Sequence, residues 1–143
     1  MLAVTIINAV NLAIASYYDL YNKKTIPSSF LYAWLIISTV VYVVCGGLLL
    51  DLLINFFFSF FIFQFFEIVF KLGEGDAYSL FIIGSTQGVI FSEYVLLIAY
   101  LLSFSYYLPR ILKAKNKKKI LKKKIAFFPF LLASYLILTL IYL

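Results

Sequence analysis

Lys71-Leu72-Gly73-Glu74-Gly75-Asp76 is a short polar break between two long apolar runs, and what surrounds it decides the kind of fold this chain adopts. The break sets an ionisable carboxylate at the mouth of an apolar helix. A charge there is expensive in lipid, so Asp76 marks a functional position whose partner is to be sought elsewhere in the chain. The best partner is Asp19, another carboxylate at the end of another apolar run.

Working outward, the 143 residues suffice for one domain, residues 1–143, and not comfortably for two. The composition is 65% hydrophobic and only 13% charged, with a mean hydropathy of +1.06. Soluble domains carry roughly 25% charged residues, so the pattern is that of an all-α integral membrane protein. The first apolar run has no basic leader before it and no small-residue cleavage pattern after it, so it is expected to persist as a mature span. A single cysteine, Cys45, excludes an intramolecular disulfide, and without histidine a metal or haem site has almost no ligands, so no cofactor is expected. The net charge of +6 comes from residues flanking lipid-length segments, which points to anionic headgroups rather than nucleic acid.

A spanning helix needs about 20 mostly apolar residues. On that measure six transmembrane helices are expected, over 2–18, 28–45, 48–70, 77–88, 89–108 and 125–143. The fourth is the shortest, because Gly84-Ser85-Thr86-Gln87-Gly88 leaves little apolar sequence after Asp76, and it is expected to reach only part of the way across. All 12 basic residues fall on one side of this arrangement, whereas Asp51 and Glu93 fall on the other. The excess of positive charge in cytoplasmic loops then places both termini outside the cell membrane and brings Asp19 and Asp76 to its cytoplasmic face. Pro27 holds Ile26 extended and closes the first loop, Gly46-Gly47 makes an outer turn, and Pro109 is expected to stop the fifth span. The run from Lys113 to Lys124 is too charged for lipid and is expected to lie on anionic headgroups of the inner leaflet.

Two carboxylates within a few Å of each other do not both ionise cheaply, so they share a proton. The charged member then deprotonates a water while the neutral one donates to a carbonyl oxygen, as in aspartic proteases. Two wet helix ends are the bland alternative. Gly73 and Gly75 remove Cβ atoms beside Asp76 and allow a backbone to approach, while Asn8, Asn11 and Asp19 form one helical stripe facing protein or a wet cavity. Glu67 stands four residues before Lys71, a spacing suited to an ion pair, with binding of a basic substrate segment as the alternative, and Glu74 is either solvated or attracts basic substrate residues.

These residues carry a resemblance. Ser16-Tyr17-Tyr18-Asp19-Leu20, followed by Lys23-Lys24 and Ile26-Pro27, resembles the first aspartate motif of the prepilin peptidase family, which includes type IV prepilin and archaeal preflagellin peptidases. Gly73-Glu74-Gly75-Asp76 resembles its second, Gly-x-Gly-Asp motif, and Ile125-Ala126-Phe127-Phe128-Pro129-Phe130-Leu131 is similar to the Pro-Phe segment that opens its last helix. The resemblance implies a membrane aspartyl endopeptidase that removes the short basic leader from prepilin-like or preflagellin-like proteins at the cytoplasmic face. Asp19 and Asp76 would be the catalytic pair and Gly73 and Gly75 the loop-shaping residues. The paired Cys-x-x-Cys insertion of many bacterial members is missing, so no N-methyltransferase activity is expected. The chain departs from many relatives after the second aspartate, where they carry a lysine and this sequence has Ala77-Tyr78-Ser79. Two other readings stand beside it. Presenilin-like and signal-peptide-peptidase-like proteases also pair Tyr-Asp with Gly-x-Gly-Asp, on a much longer chain with a Pro-Ala-Leu motif that this sequence does not have. A membrane scaffold or transporter would use neither carboxylate for chemistry.

Overall fold

The computed structural model describes residues 2–22, 26–70, 72–113 and 126–142, and among them every regular element is helical. Lys23, Lys24, Lys71 and the basic run beyond Lys113 lie outside the described residues. In chain order the elements are α1 (Leu2–Tyr17), a single π-helical turn (Tyr18–Asn22), α2 (Ser28–Val44), α3 (Leu49–Phe70), α4 (Glu74–Gln87), α5 (Val89–Lys113) and α6 (Phe128–Tyr142).

Three stretches are long and apolar enough to cross a membrane: Leu2–Tyr21, Leu49–Val69 and Val89–Lys113. Ser28–Val44 and Phe128–Tyr142 are shorter apolar helices. The outer surface carries large apolar side chains almost everywhere, among them Leu49, Leu53, Phe57 and Phe61 of α3 and Leu97, Leu101 and Phe104 of α5. An apolar surface this extensive is untenable in water and suits a hydrocarbon solvent.

The interior is organised around α4, which packs against α1, α2, α3 and α5. Its residues Ala77 and Ser79 to Thr86 are buried on every side, as expected of a helix with no polar face. At 1.5 Å per residue its 14 residues span about 21 Å, short of the roughly 30 Å of a bilayer core. The sequence expectation of a partial fourth span is met in length. Gly88 ends it at φ 101°, a conformation open to glycine, and α5 starts at the next residue.

Close packing at the centre depends on one missing side chain. A Cβ on Gly84 would collide with Ser59 Oγ on α3 and lie 2.8 Å from Ser92 Oγ on α5, so the three helices meet at the glycine. Toward the Gly88 end, a buried polar network joins four helices. Asn8 Oδ1 accepts Trp34 Nε1–H at 2.8 Å and Ser38 O–H at 3.0 Å, and Asn8 Nδ2 donates to Thr86 Oγ1 and Gln87 Oε1, both at 3.3 Å. Gln87 Nε2 donates to Thr5 Oγ1 at 2.9 Å, and Tyr135 O–H donates to Gln87 Oε1 at 2.7 Å. Buried polar groups satisfied in this way fix helix register, because every slip strands several of them. Asn8 is therefore a structural residue, while Asn11 bonds back to the Ile7 carbonyl of its own helix.

One boundary differs from the sequence expectation. Pro109 does not stop the fifth helix, since α5 runs through it to Lys113. Proline removes one backbone donor and disfavours the turn before it, yet near a helix end one further turn survives when side chains support it. Arg110 supplies that support, donating to Tyr106 O–H at 2.6 Å and lying 4.3 Å above the Tyr106 ring.

Candidate active site

Asp19 lies just past α1, where the helix widens into the π-helical turn. An extra residue in the turn re-aims the side chains that follow, a device common at functional positions. Ser16 O–H bonds the Leu12 carbonyl at 2.7 Å just before the change, and Tyr17 packs on Tyr21 with ring centroids 4.8 Å apart. Asp19 emerges half-buried.

Asp76 is set from the other direction. Gly73 is the N-cap of α4 in extended conformation, at φ −60° and ψ 138°, which leaves Asp76 in the first helical turn and outside the three crossing segments. The carboxylate folds back over the cap, so that a Cβ on Gly73 would stand 2.8 Å from Asp76 Oδ2. Gly73 is thus the space the carboxylate occupies.

The third contributor is the start of α6. Phe128 donates its backbone N–H to Asp19 Oδ2 at 3.2 Å, across 109 positions of sequence. Its ring lies 3.6 Å from where a Gly75 Cβ would stand. Phe128 therefore touches the loop of one aspartate with its ring and the other aspartate with its backbone. Pro129, second in α6, fits a first helical turn because its missing N–H has no intrahelical acceptor there.

The two carboxylates sense each other. Burial first, and the nearby Asp19 carboxylate second, together push the Asp76 carboxyl up to about 7. Asp76 Oδ1 is buried without a hydrogen-bond partner among the described residues. Tyr100 of α5 lies within electrostatic reach of Asp76 and packs on Phe127 with centroids 5.1 Å apart. A protonated carboxyl beside an accepting carboxylate, with one oxygen free of protein partners, can hold a water and polarise a carbonyl.

Of the residues expected at the site, the structure brings together Asp19, Asp76, Gly73 and Gly75, with Pro129 next to the contact. Glu74 is exposed. Glu67 accepts a hydrogen bond from Gln64 Nε2 at 3.4 Å, and the Lys71 expected to pair with it falls outside the described residues. Pro27 caps α2 with its carbonyl, which accepts Phe30 N–H at 3.0 Å, and so has a structural part. Sequence reasoning missed the Phe128 N–H and Tyr100. A signal existed for the first: a proline at the second helical position marks a helix start, where the preceding N–H groups are free donors.

No protein-family model matches the chain, and neither a curated protein nor a solved structure is significantly similar to it.

Proposed function

We propose that this chain is a multi-pass membrane aspartyl endopeptidase of the prepilin and preflagellin peptidase type, cutting a short basic leader from its substrates at the cytoplasmic membrane face. The observation that carries the reading is the convergence of Asp19 and Asp76, from opposite ends of two helices, at the foot of α6. The Gly-x-Gly-Asp loop and the Pro-Phe helix start both touch this convergence, which agrees with the sequence resemblance. In this reading all six helices cross or enter the bilayer, with α4 the shortest, and the lysine-bearing loops hold both termini outside.

The chemistry follows from the difference between the two carboxyls. Asp76, buried and raised, holds the shared proton, and Asp19 is the base. Asp19 takes a proton from water as the water oxygen bonds to the scissile carbonyl carbon, and the Asp76 proton passes to the carbonyl oxygen. Collapse of the tetrahedral intermediate returns that proton to Asp76 and breaks the C–N bond, while the proton held by Asp19 goes to the departing amine. Glu74, exposed beside the loop, faces the water from which a lysine-rich leader arrives.

The test is incubation of the purified protein with a prepilin-like or preflagellin-like substrate and mass measurement of the product. One cut just before the substrate's hydrophobic helix is expected, and none by Asp19→Asn or Asp76→Asn. Full processing by either variant overturns the assignment.

A further inference from the structure

Gly84 also sets the register between α4 and α5. A Cβ there would lie 2.8 Å from Ser92 Oγ, and the two helices run antiparallel from the Gly88 turn, so each step back along α4 matches a step forward along α5. The eight residues from Gly84 back to Asp76 and from Ser92 on to Tyr100 cover the same length, about 12 Å. Tyr100 is therefore level with Asp76. Ala77 and Ala99, both buried, are small enough to keep the helices close at that end.

The start of α6 fixes the tyrosine from its other side. Phe91 meets Tyr135 edge-on with ring centroids 5.7 Å apart, and Tyr100 packs on Phe127 at 5.1 Å, so α5 and α6 keep one antiparallel register between the two contacts. Phe127 directly precedes Phe128, whose N–H holds Asp19. One dipeptide thus seats the Asp19 carboxylate and the Tyr100 ring together. The Tyr100 side chain is exposed and within electrostatic reach of Asp76, yet the buried Asp76 Oδ1 accepts no hydrogen bond from it. A gap is left between the two groups.

A carbonyl oxygen has two lone pairs and accepts two donors at once, each about 2.8 Å away. We propose that Tyr100 is a further catalytic residue, whose hydroxyl donates a hydrogen bond to the scissile carbonyl oxygen while the Asp76 carboxyl donates to the other lone pair. This role rests on the peptidase reading. As the water oxygen adds and charge builds on the carbonyl oxygen, the bond from Tyr100 strengthens and the Asp76 proton moves across. The phenol keeps its own proton throughout, so the exchange of protons between the two aspartates is unaltered. Its ring, packed on Phe127, spares the hydroxyl the cost of reorganising during the reaction.

The experiment compares steady-state cleavage of a preflagellin-like substrate by the unaltered full chain and by Tyr100→Phe, which keeps the ring on Phe127 and loses the hydroxyl. A fall of about 100-fold in kcat is expected, as for the loss of one such donor, with KM and the melting midpoint unchanged and the pH–rate profile lowered but not displaced. Tyr107→Phe, about two turns further along the same helix, is expected to leave kcat as it is. Should Tyr100→Phe not fold, 3-fluorotyrosine incorporated at position 100 keeps the ring and strengthens the donor, and at about pH 6, where the phenol is still protonated, kcat is expected to hold or rise. A fall in kcat there overturns the role. So does an unchanged kcat in Tyr100→Phe, a rise in KM alone, or a displaced pH profile, which would mean that Tyr100 acts through Asp76, and each of these leaves the peptidase reading standing. No cleavage by the unaltered protein overturns both.

Discussion

Phe128 N–H and Asp19 Oδ2, 3.2 Å apart, join the end of the first helix to the start of the last. The carboxylate acts toward α6 as an N-cap side chain acts toward its own helix. Asp19→Asn retains an oxygen of the same shape and is expected to stay folded while losing cleavage. Asp19→Ala loses the acceptor as well and should be destabilised relative to Asn by about 1 kcal/mol, the usual cost of removing a cap. Thermal unfolding of the two purified variants separates the roles, and equal midpoints would dissociate the bond from stability.

Asp76 makes stability depend on pH with a definite sign. Its carboxyl is raised in the folded protein, so its contribution is fully present below the ordinary aspartate value of 3.8 and is lost as pH rises toward about 7. Asp76→Asn removes the ionisation that causes the loss. The variant is expected to melt higher than the unaltered protein at pH 8, with the gap closing as pH falls below 5, as read by a fluorescence melt in detergent. A gap that widens toward acid would reverse the assignment of the proton to Asp76.

Gly84 tests the packing that holds the bundle closed. Gly84→Ala drives a methyl into Ser59 Oγ and against Ser92 Oγ, and overpacking of this kind costs about 1–3 kcal/mol. Ser59→Ala removes the nearest oxygen, so the double variant should recover part of the loss, and a double-mutant cycle of melting midpoints measures that recovery. Strict additivity would mean that the helices part instead of repacking.

Asn8→Leu strands the Trp34 and Ser38 donors and removes one donor each from Thr86 and Gln87, which keep their bonds to the Ile82 carbonyl and the Tyr135 hydroxyl. A loss of about 1–3 kcal/mol is expected from the unpaired buried groups. Asn8 stands 11 residues before Asp19, about 16 Å along the helix, so the folded fraction should cleave with unchanged kcat.

The two aspartates were legible as a pair because each borders an apolar run, although two wet helix ends fit that feature equally, and it was the glycines beside Asp76 and the polar stripe leading to Asp19 that set them apart. The shortness of α4 was also legible, from the polar residues after Ile83. What the sequence hid were partners. The stripe Asn8, Asn11, Asp19 told which face of α1 turns inward, yet not that Asn8 binds two other helices while Asn11 bonds only its own backbone. Gly84 read as a weakness in a span and is the notch into which two serines fit. Pro109 read as a stop because proline's effect is local, whereas the Arg110 and Tyr106 contact that carries the helix onward is made by side chains one turn apart.

The bond from Phe128 to Asp19 also bears on when the protein becomes competent. A nascent chain that has emerged only as far as α5 already contains both aspartates, but neither the backbone donor nor the aromatic ring that brings their loops together. Both contacts that tie the two loops to the last helix, the Phe128 N–H on Asp19 and the Phe128 ring beside Gly75, therefore form only once the α6 segment has been made.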